Sequence, residues 1–176
     1  RYARNSPLPV AATLVFEQSY GGVDGDSASC AELCVLLSAL AGLPLVQNIA
    51  VTGSMNQSGE VQAIGGVNEK IEGFFDICKA RGLTGDQGVI IPQANAVHLM
   101  LNSSVREAVA AGQFHIFTAA HVEEVMERLC GLPAGAQGED GSFEAGSYQR
   151  AVQERIGELQ ELQRSFADQK EESGER

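Results

Sequence analysis

One stretch constrains the architecture more than any other. From Ser27 to Ala41 the chain is almost uniformly small or apolar: Ala28, Ala31, Leu33, Val35, Leu36, Leu37 and Leu40 spread around the helical wheel, and Gly42 and Pro44 stop the run. A helix that is apolar on nearly every side has no face to give to water, so it belongs in the middle of the molecule, covered by other elements. Just before it lies Gly21-Gly22-Val23-Asp24-Gly25-Asp26, a glycine-containing loop.

The covering elements can be read on either side. Val10 to Phe16 is apolar and β-prone and ends at Ser19-Tyr20-Gly21-Gly22, which predicts a strand leading into the loop. Asn48 to Thr52 reads as a short strand, Gly53 to Gly59 as a turn, and Glu60 to Ile64 as the returning strand of a hairpin ended by Gly65-Gly66. Val67, Ile71, Phe74, Phe75 and Cys78 recur at helical spacing, which predicts a helix from Val67 to Arg81 stopped by Gly82. Gly88 to Pro92 is a buried strand, Ser103 to Ala111 a helix, Phe114 to Phe117 a strand, and His121 to Cys130 the helix that closes the globular part. This alternation predicts an α/β fold, and the hairpin makes the sheet mixed rather than purely parallel.

Beyond Gly131 the sequence Pro-Ala-Gly-Ala-Gln-Gly-Glu-Asp-Gly reads as a linker. Tyr148, Val152, Ile156, Leu159, Leu162 and Phe166 then form a helical stripe that packs on its own domain or on a neighbour. The expected division is a globular unit over 1–131 and a linker with a C-terminal helical extension over 132–176.

With 176 residues, 44% of them hydrophobic, the chain can bury one sizeable core. Its net charge of −11 repels a phosphate backbone, and no basic stripe offsets it, so nucleic acid is not an expected partner. No apolar run approaches the roughly 20 residues that span a bilayer, and Arg1 to Pro7 has no apolar signal core; a soluble, unsecreted protein is expected. Cys30, Cys34, Cys78 and Cys130 offer neither the density of a disulfide scaffold nor a CxxC metal or redox pair, and a reducing compartment suits them.

Chemistry is most legible at Ser27, where the glycine-containing loop becomes a helix start. Unpaired N–H groups there carry partial positive charge and can hold an oxyanion beside the serine. Taken alone, Ser27 is equally an ordinary helix cap, with Asp26 capping beside it. A serine nucleophile needs a base. His98, His115 and His121 lie in the C-terminal half beside no Asp or Ser motif, which gives a Ser-His-Asp triad little support. Lysine is the other base, since burial leaves its neutral amine able to accept a proton. Lys70 and Lys79 flank opposite edges of the apolar stripe of the helix 67–81, and the helical wheel does not choose between them.

Two motifs resolve that choice by resemblance. Asp24-Gly25-Asp26-Ser27-Ala28-Ser29, followed by Ala31-Glu32-Leu33, resembles the nucleophile motif of Lon proteases, Asp-Gly-x-Ser-Ala at a helix start. Ile49-Ala50-Val51-Thr52-Gly53 and then Gly59-Glu60-Val61-Gln62-Ala63-Ile64-Gly65-Gly66-Val67-Asn68-Glu69-Lys70 are similar to the second signature, Gly-x-Val-x-x-Ile-Gly-Gly-x-x-x-Lys. The family's serine falls on Ser27 and its lysine on Lys70. The likeness runs from Val10 to Gly131 and is closest to the B-type or Lon-like branch.

The resemblance implies a Lon proteolytic domain fold, similar to ribosomal protein S5 domain 2-like folds, and an ATP-dependent serine endopeptidase that degrades unfolded or damaged proteins with a Ser27-Lys70 dyad. It further implies that Thr52 orients the lysine by a hydrogen bond, and that Asp24 shapes the loop or pairs with Lys70. Homo-oligomeric rings, hexameric in the family, a cytoplasmic location and no resident cofactor or metal are also expected. ATP would act at an upstream module, since no Gly-x-x-x-x-Gly-Lys-Ser/Thr loop occurs here. The sequence departs from the pattern at Ser54, where many members have glutamate, and after Gly131, which has no counterpart. The competing function is a non-catalytic, Lon-like ring-assembly module, which would need neither Ser27 nor Lys70.

Overall fold

The computed structural model describes residues 2, 8, 10–16, 21 and 25–174, with side chains to 168. The apolar helix forms as α1, Ser29–Ala41, and buries Cys30, Cys34 and Leu37. It starts two residues later than predicted because the Asp26 carbonyl accepts from both the backbone N–H and the hydroxyl of Ser29, which closes a turn over Ser27 and Ala28. It is also less enclosed than its composition predicts, for Val35 is 52% exposed on the flank not covered by other helices.

Three strands make a parallel sheet: β1 (Ile49–Val51), β4 (Gly88–Pro92) and β5 (His115–Ala119), in the order β1-β4-β5. The middle strand β4 is buried along its whole length. Its side chains alternate between two cores, as the two-residue repeat of a strand requires. Ile90 faces the layer of α1, α4 (Val122–Cys130) and α5 (Tyr148–Gly174), with Met126, Tyr148 and Val152. Val89 and Ile91 face the opposite layer, built on α2 (Val67–Arg81) and α3 (Ser103–Ala110), where Ile71, Phe75 and Phe114 are fully buried. Phe75 and Phe114 meet edge to face, 5.2 Å between centroids.

The predicted hairpin forms with different partners. Instead of returning along β1, the chain leaves the sheet at Thr52-Gly53 and pairs β2 (Ser54–Met55) with β3 (Val61–Gln62), antiparallel, as a separate two-stranded ribbon. β1 is already committed to β4, Ile49 opposite Gly88 and Val51 opposite Ile90. The predicted strand over Val10 to Phe16 does not form; Leu14, Val15 and Phe16 are exposed. β propensity alone does not make a strand, and this segment pairs with none of the described strands.

Between β4 and α3 a 3₁₀ helix, η1 (Gln93–His98), was not foreseen. The predicted linker after Gly131 is folded onto the domain. Ala134 N–H donates to Glu127 Oε1 at 2.7 Å, Tyr148 N–H to the Pro133 carbonyl at 3.0 Å, and Phe143 N–H to Gln153 Oε1 at 3.1 Å. The stripe of the last helix then divides. Tyr148, Val152 and Ile156 enter the core beside α1, whereas Leu162 and Phe166 are exposed. Among the described residues no helix is long and apolar enough to cross a membrane, and the four cysteines are free thiols.

Candidate active site

Ser27 sits in the turn ahead of α1, and its main chain is tied to the end of β1. Its carbonyl accepts from Gly53 N–H at 2.8 Å and from the Thr52 hydroxyl at 3.3 Å. Gly53 in turn accepts from Cys30 N–H at 3.1 Å, so one residue bridges both ends of the turn. Glycine is needed there by proximity: a Cβ at Gly53 would lie 2.9 Å from Val61 Cγ1. One residue later, the buried Ser54 hydroxyl donates to Asp26 Oδ2 at 2.5 Å. Ser54 therefore fills the position of the family's glutamate and anchors the residue that precedes the serine.

Lys70 is placed by the start of α2. The chain reaches that helix through Gly66, whose φ of +67° suits glycine, and Lys70 N–H closes the first turn on the Gly66 carbonyl at 3.1 Å. The lysine then extends its Nζ to 2.8 Å from Ser27 Oγ across 43 residues of sequence. Lys79, which the wheel had left equal, is excluded by distance along the axis. It lies nine residues further on, about 13.5 Å at 1.5 Å per residue, with its Nζ over the Phe75 ring. Ser27 and Lys70 share an open cleft of 260 Å³ with Ala28, Ala50, Val51, Thr52 and Val89.

The other expected residues fare differently. Thr52 lines the cleft, but its hydroxyl is donated to the Ser27 carbonyl rather than to the lysine, because the β1–β4 pairing, with Thr52 N–H on the Ile90 carbonyl at 3.1 Å, turns it toward the serine turn. Asp24 lies outside the described residues. Two of the three histidines are engaged elsewhere: His115 Nε2 is 2.8 Å from the Gly85 carbonyl, and His121 Nε2 is 3.0 Å from the Ser58 carbonyl while its Nδ1 accepts from Glu123 N–H to cap α4.

Of the N–H groups at the helix start, Ser29 and Cys30 are spent on Asp26 and Gly53. Those of Ser27 and Ala28 donate to no backbone acceptor among the described residues, which leaves donors at the nucleophile's own turn.

Sequence reading missed the residues that hold the lysine's helix. Asn95, in η1 and 4% exposed, accepts from Ile64 N–H at 2.9 Å and donates to the Ile64 carbonyl at 3.0 Å. Asn68 donates to the His98 carbonyl at 3.2 Å and accepts from Met100 N–H at 2.8 Å. Nothing in Pro92-Gln93-Ala94-Asn95 signals such a role, since each bond joins residues about 30 positions apart.

The chain is similar to known proteins. A profile of the Lon protease C-terminal proteolytic domain matches residues 20–131. A Lon protease homolog of Haemophilus influenzae is 52% identical over 151 residues, 86% of this chain and 25% of that protein. One from Escherichia coli K12 is 50% identical over 149 residues, 85% of this chain and 24% of its own length. The archaeal Lon protease of Methanocaldococcus jannaschii is 48% identical over 85 residues, 48% of this chain and 12% of that protein. The chain thus spans about a quarter of the length of the first two relatives. Mixed α/β architecture, the profile match over most of the chain, and these identities lead to one conclusion: the chain belongs to the family of Lon protease C-terminal proteolytic domains.

Proposed function

We propose that this domain is a serine endopeptidase in which Ser27 is the nucleophile and Lys70 the general base, acting on unfolded protein chains. The 2.8 Å approach of Lys70 Nζ to Ser27 Oγ carries the reading. In its neutral form the amine takes the hydroxyl proton as Oγ attacks the carbonyl carbon of a peptide bond. The N–H groups of Ser27 and Ala28 receive the developing oxyanion. The Lys70 ammonium then returns its proton to the departing amine, leaving an acyl ester on Ser27, and water hydrolyses that ester with the same amine as base. Thr52 acts on the nucleophile's main chain, so its part is to hold Ser27 in register with β1. The open cleft beside Ser27 and Lys70 leaves room for an extended chain.

The remaining family traits would belong to a longer protein like the two relatives of which this chain spans about a quarter: ATP used by a module upstream, a hexameric ring around the cleft, and work in the cytoplasm, where the four free thiols stay reduced. Cleavage of casein by the full-length protein tests the proposal. Ser27→Ala should abolish it and Lys70→Gln should slow it by about 10²- to 10⁴-fold. If both variants cleave as fast as the parent, the dyad is wrong; if the parent assembles into rings yet cleaves nothing, the ring-assembly module takes its place.

A further inference from the structure

We infer that Asn95 is a positioning residue for the peptidase reaction, acting through the turn that launches α2 to set the reach of Lys70. The inference rests on the dyad reading above. An asparagine amide presents a donor and an acceptor in one plane, spaced like a main-chain peptide, and Asn95 uses both on one residue, Ile64. It thereby does at a single position what a neighbouring strand would do for β3, which ends at Gln62 and has no strand partner beyond it. Two residues later comes Gly66, the left-handed pivot on which α2 turns, and the first-turn bond of Lys70 closes on the Gly66 carbonyl.

A second tether sets the direction of the helix as well as its starting point. Asn68 grips the chain at both His98 and Met100, just beyond the end of η1. Asn95 and Asn68 therefore bind the segment before Lys70 to one short 3₁₀ helix and its exit, and that helix continues directly from β4, the centre of the sheet. Since β4 also carries Ile90, whose carbonyl holds Thr52, lysine and serine are referred to the same strand through separate bonds. A shift of 1 Å in a reacting group can cost on the order of 100-fold in rate, so loss of the Ile64 clamp reads out in turnover.

The test uses the full-length protein and two readouts: casein cleavage, and the rate at which a fluorophosphonate labels Ser27. Asn95→Ala should lower kcat and the labelling rate about tenfold or more with KM within about twofold of the parent. In a Lys70→Gln background the same change should have no further effect, because its action passes through that amine. Parental rates in Asn95→Ala, an effect confined to KM, or an undiminished effect in the Lys70→Gln background each overturn the inference. Asn95→Asp, of the same shape, carries the test where Asn95→Ala does not fold, and unfolding of both overturns it in favour of a purely structural role. Should Lys70→Gln itself label at the parental rate, the dyad reading fails instead.

Discussion

Substituting alanine for Gly53 presses on the site through the main chain of Ser27, without altering either side chain of the proposed dyad. The new Cβ would stand 2.9 Å from Val61 Cγ1, about 0.5 Å inside the 3.4 Å at which ordinary contact begins, with Cys30 Cβ at 3.6 Å and Pro92 Cγ at 3.7 Å behind it. The backbone of residue 53 must back away, and it is bonded on one side to the Ser27 carbonyl and on the other to Cys30 N–H. Overpacking of this kind costs about 1–3 kcal/mol of stability. If the displacement reaches Ser27 undamped, half an ångström on a scale of 100-fold per ångström predicts about a tenfold fall in kcat. The assay is casein turnover by the full-length protein, with a denaturation curve to keep stability and turnover apart. Val61→Ala removes the obstructing methyl, so the Gly53→Ala/Val61→Ala pair should recover most of the lost turnover. Parental kcat in Gly53→Ala, or a pair as slow as the single variant, would refute the chain of contacts described here.

Two further outcomes follow from the packing and the charges. Ile156→Ala, at a site 3% exposed in the core beside α1, should destabilise the domain by about 2–5 kcal/mol, while Phe166→Ala, 64% exposed on the same stripe, should change it by less than about 0.5 kcal/mol; urea titration of both variants checks this. Hydrogen bonds from the Thr84 hydroxyl to Asp86 and from the Ser142 hydroxyl to Asp140 hold both carboxyls below their ordinary 3.8, so what they contribute to stability is complete above pH 3.8 and is lost as pH falls through the lowered values. Melting temperatures measured from pH 5 downward should therefore fall more steeply in the parent than in an Asp86→Asn/Asp140→Asn variant, and equal slopes would count against it.

What the sequence disclosed, and what it hid, divides along physical lines. The helix over Val67–Arg81 and the strand Gly88–Pro92 are written in local pattern, the one in helical spacing and the other in an apolar run closed by glycine and proline, and both formed within the expected bounds. Strand pairing is not local. Asn48 to Thr52 and Glu60 to Ile64 are both strand-like, yet the first pairs with β4, about 40 residues later in the chain, and the second with Ser54–Met55 inside the segment read as a turn. Val10 to Phe16 has strand composition but pairs with no described strand. At the site, the residue types were legible in two motifs, whereas the choice of Lys70 over Lys79 on physical grounds needed the 2.8 Å contact. Asn95 and Ser54 left no mark because their work lies in partners 31 and 28 positions away.

The two cores on either face of β4 give the proposed chemistry a dependence on completed folding. Ser27 is carried by the layer that contains α1, and Lys70 by the layer that contains α2, so the dyad straddles the sheet rather than residing within one layer. A chain with only one layer consolidated holds a serine without a base or a base without a serine, and neither can acylate. If the proposed dyad is the catalyst, nascent or partly opened copies would be unable to cut their neighbours at the stage when both they and their surroundings are richest in unfolded chain. Reactivity arrives last, as a report that the two halves have met.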